Sequence, residues 1–145
     1  MDSRYNQGGT MRSMLRIWLI FLIILITGIC AAQIPDLVGN WTGYAPAYFV
    51  EDGVHDLVED DRIVLAVVEQ NDRLFTGNIT FMRDGEEVVE AFAGAIGADN
   101  KTVYIAESKG CGFGTIVSED EFEMVYLEHG KPAISAIDQF HRTKA

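Results

Sequence analysis

Residues 73–96, "RLFTGNITFMRDGEEVVEAFAGAI", decide the fold class. At the centre lies Asp84-Gly85, the pair that a two-residue hairpin turn with positive φ at both positions prefers. On its N-terminal side, Phe75, Gly77, Ile79 and Phe81 share one face of an extended chain, with Leu74, Thr76, Asn78 and Thr80 on the other. On its C-terminal side, Phe92, Gly94 and Ile96 repeat the theme, so that "FTGNI" and "FAGAI" are near copies in adjacent segments. "FGTI" (Phe113–Ile116) is a looser third. A glycine on the inner face lets a strand bend sharply and leaves room for a neighbouring ring, as a small barrel requires.

Outward from this hairpin, the chain after residue 37 reads as short apolar runs of period two, separated by turn signals. The predicted strands are Gly39–Tyr44, Arg62–Gln70, Arg73–Met82, Glu87–Ile96, Thr102–Glu107, Cys111–Val117, Phe122–Glu128 and Ala133–Arg142. Ala45–Asp61 reads as one long acidic connection, and the other joints are short turns. No segment in this range has a period of 3.6. Eight consecutive antiparallel strands with short joints suit a closed up-and-down barrel better than a sandwich, because closure leaves no exposed edge and a sandwich needs longer crossovers. The expected fold is all-β: an eight-stranded antiparallel up-and-down barrel over residues 33–145, preceded by an N-terminal hydrophobic segment.

That segment, residues 1–32, contains the uncharged run "IWLIFLIILITGICAA" from Ile17 to Ala32, with Arg12 and Arg16 just before it. A basic start, an apolar stretch and small residues at the end describe a secretory signal peptide cut after Ala32. A short signal-anchor over residues 14–32 is the open alternative, although a full span needs about 20 apolar residues. Met11 is a second candidate start. The segment holds three of the 11 basic and one of the 22 acidic residues, so residues 33–145 carry 8 basic and 21 acidic, a net of −13. A surface of that sign repels phosphate backbones and argues against nucleic acid as a partner. Removal of Cys30 would leave Cys111 alone in "KGCGFG", with no intramolecular disulfide possible and no neighbouring base to make it a nucleophile.

"GNWTGY" (Gly39–Tyr44) opens the first strand. By alternation Gly39, Trp41 and Gly43 face inward, while Asn40, Thr42 and Tyr44 face outward. A Gly-x-Trp motif at the start of an eight-stranded meander resembles the calycin superfamily, the lipocalins and avidin-like barrels. That resemblance implies that Arg142, in the last strand, crosses the Trp41 indole and closes one end of the barrel, a cation–π contact of about 1–2 kcal/mol. The sequence departs from the resemblance in two respects. It lacks paired disulfide cysteines, and past residue 32 it has only Trp41 where avidin-like pockets use several tryptophans, so biotin binding is not implied. From "LFTGNITF" to "GTIVSEDEFEMVYLEHG" the chain also resembles small secreted archaeal proteins of unassigned function, a similarity that carries no chemistry.

The expected ligand-binding region is the barrel mouth and interior. Tyr44, Tyr48 and Phe49 are placed as a lid, Phe75 and Phe92 as interior rings, and Glu90 and Glu107 as inward carboxylates. The partner would be a small apolar ligand, if the strands' own side chains do not fill the barrel. Paired carboxylates in an apolar interior would titrate high, although solvated barrel-end positions are the preferred reading. Glu51, Asp52, Asp56, Glu59, Asp60 and Asp61, with His55, lack the spacing of a calcium loop and read as a solvated acidic loop. No triad order, metal-ligand spacing or phosphate loop is present, so neither catalytic residues, metal nor cofactor is assigned. Asn40, Asn78 and Asn100 each begin an Asn-x-Thr sequon, meaningful only if the chain is exported. Secretion or cell-surface location is expected, with the membrane touched only through an uncleaved N-terminal segment.

Overall fold

The structure is a computed structural model, which describes residues 33–59 and 62–144. The expected signal or anchor segment lies outside the described residues, and so do Asp60 and Asp61. Ten strands follow in chain order: β1 (Gly39–Tyr44), β2 (Ala47–Glu51), β3 (Val54–Val58), β4 (Arg62–Asn71), β5 (Leu74–Arg83), β6 (Glu86–Ile96), β7 (Thr102–Ala106), β8 (Gly110–Ser118), β9 (Glu121–Glu128) and β10 (Ala133–Arg142). The hairpin β5–β6 has the predicted turn, with Asp84 at φ 55° and Gly85 at φ 80°. All the pairings are antiparallel, in the order β1-β4-β5-β6-β7-β8-β9-β10, and β10 returns to β1 to close an eight-stranded barrel. Closure pairs Trp41 with Arg142 and Gly43 with Phe140.

The connection Ala45–Asp61 is not the acidic loop expected from its composition. It contains the hairpin β2–β3, turned at Asp52 (φ 48°) and Gly53 (φ 84°) in the same backbone conformation as Asp84-Gly85. Among its acidic residues, Asp52-Gly53 is the same Asp-Gly turn signal that marks β5–β6. β2 continues the line of β1 beyond Pro46 and pairs with the N-terminal half of β10, Ala47 opposite Ala136 and Phe49 opposite Ile134. β3 pairs with β2 and ends the sheet order. The β4–β5 ladder begins at Val64–Thr80, so the last residues of β5 pair only with β6. Between β3 and the end of β5 the wall is therefore open.

Inside, Trp41, Leu65, Phe75, Phe92, Val103, Phe122, Met124 and Phe140 form the centre of a continuous apolar core. Glycines make the space for it. A Cβ on Gly94 would strike the Phe75 ring, and one on Gly112 would strike the Met124 sulfur. The Phe75 and Phe92 rings meet edge to face at 5.9 Å, and Trp41, Phe122 and Phe140 form a second aromatic run. Residues 34–38 cross the end where β1 begins and tie it shut. Trp41 Nε1 donates to the Leu37 carbonyl (2.9 Å), and Leu37 N donates to Gln70 Oε1 (2.8 Å). The Arg142 guanidinium lies 4.1 Å over the Trp41 ring and donates to the carbonyls of Asp36 (2.6 Å) and Val38 (2.8 Å).

Candidate functional site: the open mouth of the barrel

The opposite end holds a cavity of about 790 Å³, floored by Ile63 and Ile79 and walled by Ala47, Phe49, Phe81 and Ile134. Its far side is polar. Period two along β7, β9 and β10 brings Glu107, just past β7, together with Tyr126 and Asp138 to the cavity. Glu90 and Glu128 are their neighbours: Glu107 N donates to the Gly110 carbonyl, and Gly110 pairs with Glu128. Gly110 matters here, because a Cβ at that position would meet the Tyr126 hydroxyl. Its absence lets the phenol reach the Glu128 carboxylate.

The electrostatics are lopsided. Tyr126 donates to Glu128 Oε2 (3.2 Å), Ser108 donates to Glu90 Oε2 (2.8 Å), and Arg83 pairs with Glu128 at 3.6 Å while lying over the Phe81 ring at 5.0 Å. Glu107 Oε1 is buried and accepts no hydrogen bond from the described residues. Burial, reinforced by the charges of Glu90 and Glu128, raises the Glu107 carboxyl to about 7. Burial also pushes the Tyr126 phenol up, aided by the charges of Glu107 and Glu128, so it stays a neutral donor. Asp138 is 2% exposed. The reading of Glu107 as a solvated barrel-end residue is thus corrected: the backbone hydrogen bond from Glu107 N to the Gly110 carbonyl (3.1 Å) continues the β7–β8 ladder and keeps the side chain on the inner face. Glu90 is half-buried.

The other residues singled out from the sequence are distributed as follows. Phe49 lines the cavity. Tyr44 and Tyr48 are 59% and 54% exposed and lie on the outer face, because β1 and β2 keep one alternation through Pro46. Phe75 and Phe92 sit deeper, in the core. Gly39, Trp41 and Arg142 belong to the closed end, where a Cβ on Gly39 would crowd the Arg142 guanidinium. Asn40 and Asn78 are exposed on the outer face, and Asn100 occupies the β6–β7 turn with φ 55°. Tyr126, Glu128, Asp138 and Arg83 were not singled out, yet alternation within "FEMVYLE" and "AISAIDQF" places the first three on the inner face. Among the described residues no group of three His, Cys, Asp or Glu side chains is arranged to hold a metal ion.

Comparison with known proteins adds the fold alone. No protein-family model matches the chain, and no curated protein matches it. Among solved structures, a redesigned β-barrel is similar, with a TM-score of 0.53 and 14% identity, covering 74% of this chain and 92% of that one. The described residues therefore form an all-β domain built on a closed eight-stranded antiparallel barrel.

Proposed function

We propose that the protein is an exported, acidic, non-catalytic β-barrel that takes a small, mainly apolar ligand into its open mouth at the cell surface. The observation that carries this reading is the cavity of about 790 Å³ with an apolar floor and a few convergent polar groups. Small-molecule sites occupy roughly 300–1,000 Å³ and have that division of lining. The apolar run after Arg16 supports export. The outward position of Asn40 and Asn78 is compatible with glycans there. Titration of the purified full chain with the neutral dye Nile red tests the reading: saturable binding that Ile134→Trp abolishes supports it, and dye fluorescence indifferent to that substitution overturns it. A barrel enzyme using Glu107 and Asp138 would instead convert a bound probe, which mass spectrometry of the recovered probe detects.

A second reading, an accessory subunit that presents the barrel to a partner protein, rests on the outer face of β7–β10. Tyr104, Phe113, Val125 and Ile137 stand in one register row across the four strands, each at least 39% exposed. Contiguous exposed apolar surface of this kind fits a protein contact. Loss of co-purification from the native host on Phe113→Glu would favour it.

A further inference from the structure

The mouth cavity divides its lining so that one side is apolar and the other is acidic. Four acidic side chains, Glu90, Glu107, Glu128 and Asp138, come from or flank β6, β7, β9 and β10 at this end of the barrel. Arg83 is the only cationic side chain among the lining residues, and it is already paired with Glu128. The Glu107 Oε1 atom is buried without a hydrogen-bond donor from the described residues. A buried acceptor left without a donor is costly, and a group that supplies one recovers that cost. Aromatic faces stand close by on Phe49, Phe81 and Tyr126, and such faces attract cations. The rim adds Glu51, Asp56 and Asp84, with Asp52 paired to Lys131 at 2.6 Å, so the field at the entrance has the same sign as the field inside and draws cations inward.

We propose that the barrel mouth selects amphiphiles with a basic head group, an alkyl- or aryl-amine whose ammonium meets Glu107, Tyr126 and Glu128 while its apolar body rests on Ile63, Ile79 and Phe81. The inference rests on the small-ligand reading above and narrows its ligand class. A fatty carboxylate of equal length would be turned away by the same groups. Arg83 tempers the selection, because it neutralises Glu128 at the edge of the cavity.

The test uses the full chain and three probes of one chain length, n-octylamine, n-octanol and n-octanoate, competing with Nile red at pH 8. The expected order is octylamine tightest by about tenfold or more over octanol, since a hydrogen bond to a charged group is stronger than one between neutral groups, with octanoate weakest. Glu107→Gln and Glu128→Gln should each bring octylamine toward octanol. Arg83→Gln, at the half-exposed rim where folding is least at stake, should tighten octylamine and weaken octanoate further. Octanoate binding as tightly as octylamine, or octylamine indifferent to Arg83→Gln, overturns the proposal. Equal binding of octylamine and octanol overturns the head-group selection but leaves the small-ligand reading standing. Absence of binding by all three, together with Nile red, overturns both.

Discussion

The two ends of the barrel use the same strands for opposite purposes. At the closed end, the polar groups that meet Trp41 are partnered: the indole N–H donates to Leu37, and the guanidinium donates to Asp36 and Val38 on the crossing segment and to Glu119 beside it. At the open end, the inner face carries carboxylates that outnumber their cations, and the wall parts between β3 and β5. Satisfied polar groups around a buried ring favour a single rigid arrangement, whereas unsatisfied ones around a cavity leave free energy for a ligand to recover. Fold stability should therefore concentrate at one end and binding at the other.

The sharpest way to break this contrast is to truncate one aromatic at each end. Trp41→Ala removes a fully buried ring, its hydrogen bond and the platform for Arg142. It should cost about 3–5 kcal/mol, the usual range for Trp or Phe to Ala in a core. Phe49→Ala, at the cavity wall, should cost less than about half of that, because the ring is only partly buried. Chemical denaturation compares the two, and equal losses would refute the division of labour. A step smaller, Gly94→Ala forces a methyl group into Phe75 and should cost about 1–3 kcal/mol by overpacking, read as a lowered Tm.

Glu107→Gln should change stability in a pH-dependent direction. The folded carboxyl titrates at about 7 against an ordinary 4.5, so the folded protein holds a proton that the unfolded chain releases, and stability falls as pH rises from about 4.5 to 7. The glutamine removes that loss. It should match wild type near pH 4 and exceed it at pH 8, by up to about 2 kcal/mol after allowance for partial exposure. Urea midpoints at the two pH values give the answer, and a variant destabilised at both would show that the buried carboxylate is structurally required.

Smallest is the effect of the β6–β7 turn at the closed end. Asp99 accepts from the backbone N–H groups of Lys101 and Thr102 and from the Thr102 hydroxyl. The Thr102 bonds, first the hydroxyl and then the N–H, hold its carboxyl at about 2, below its ordinary 3.8. This contribution is present above pH 3.8 and disappears as pH falls toward 2. An Asp99→Ala variant should lose part of the wild-type slope of Tm against pH between those values, and an unchanged slope would assign no role to the turn.

The barrel itself was legible from period two and turn chemistry, because each buried inner residue is bracketed by outer ones along every barrel strand. In Ala45–Asp61 six acidic side chains and His55 mask the alternation in Ala47–Glu51 and the Asp-Gly turn at residues 52–53. The candidate site was legible only in fragments. Glu107 and Phe49 could be named as inward residues of separate segments, but nothing in the linear text says that Tyr126, Asp138 and Arg83 stand beside them. Their meeting depends on shear, on the register that sets Gly110 against Glu128 and Ala136 against Tyr126, and register is a property of pairs of strands.

By itself, then, the sequence determined which side of each strand faces inward, where the Asp84-Gly85 hairpin turns and how many strands the barrel needs, since these follow from local sterics and the burial of alternate residues. Tertiary structure alone decided that β2 displaces β1 along the first half of β10, that the wall opens between β3 and β5, and that the carboxylates of separate strands share one cavity. Each of those outcomes arises from closing the sheet on itself, a constraint felt only when all eight strands are in place.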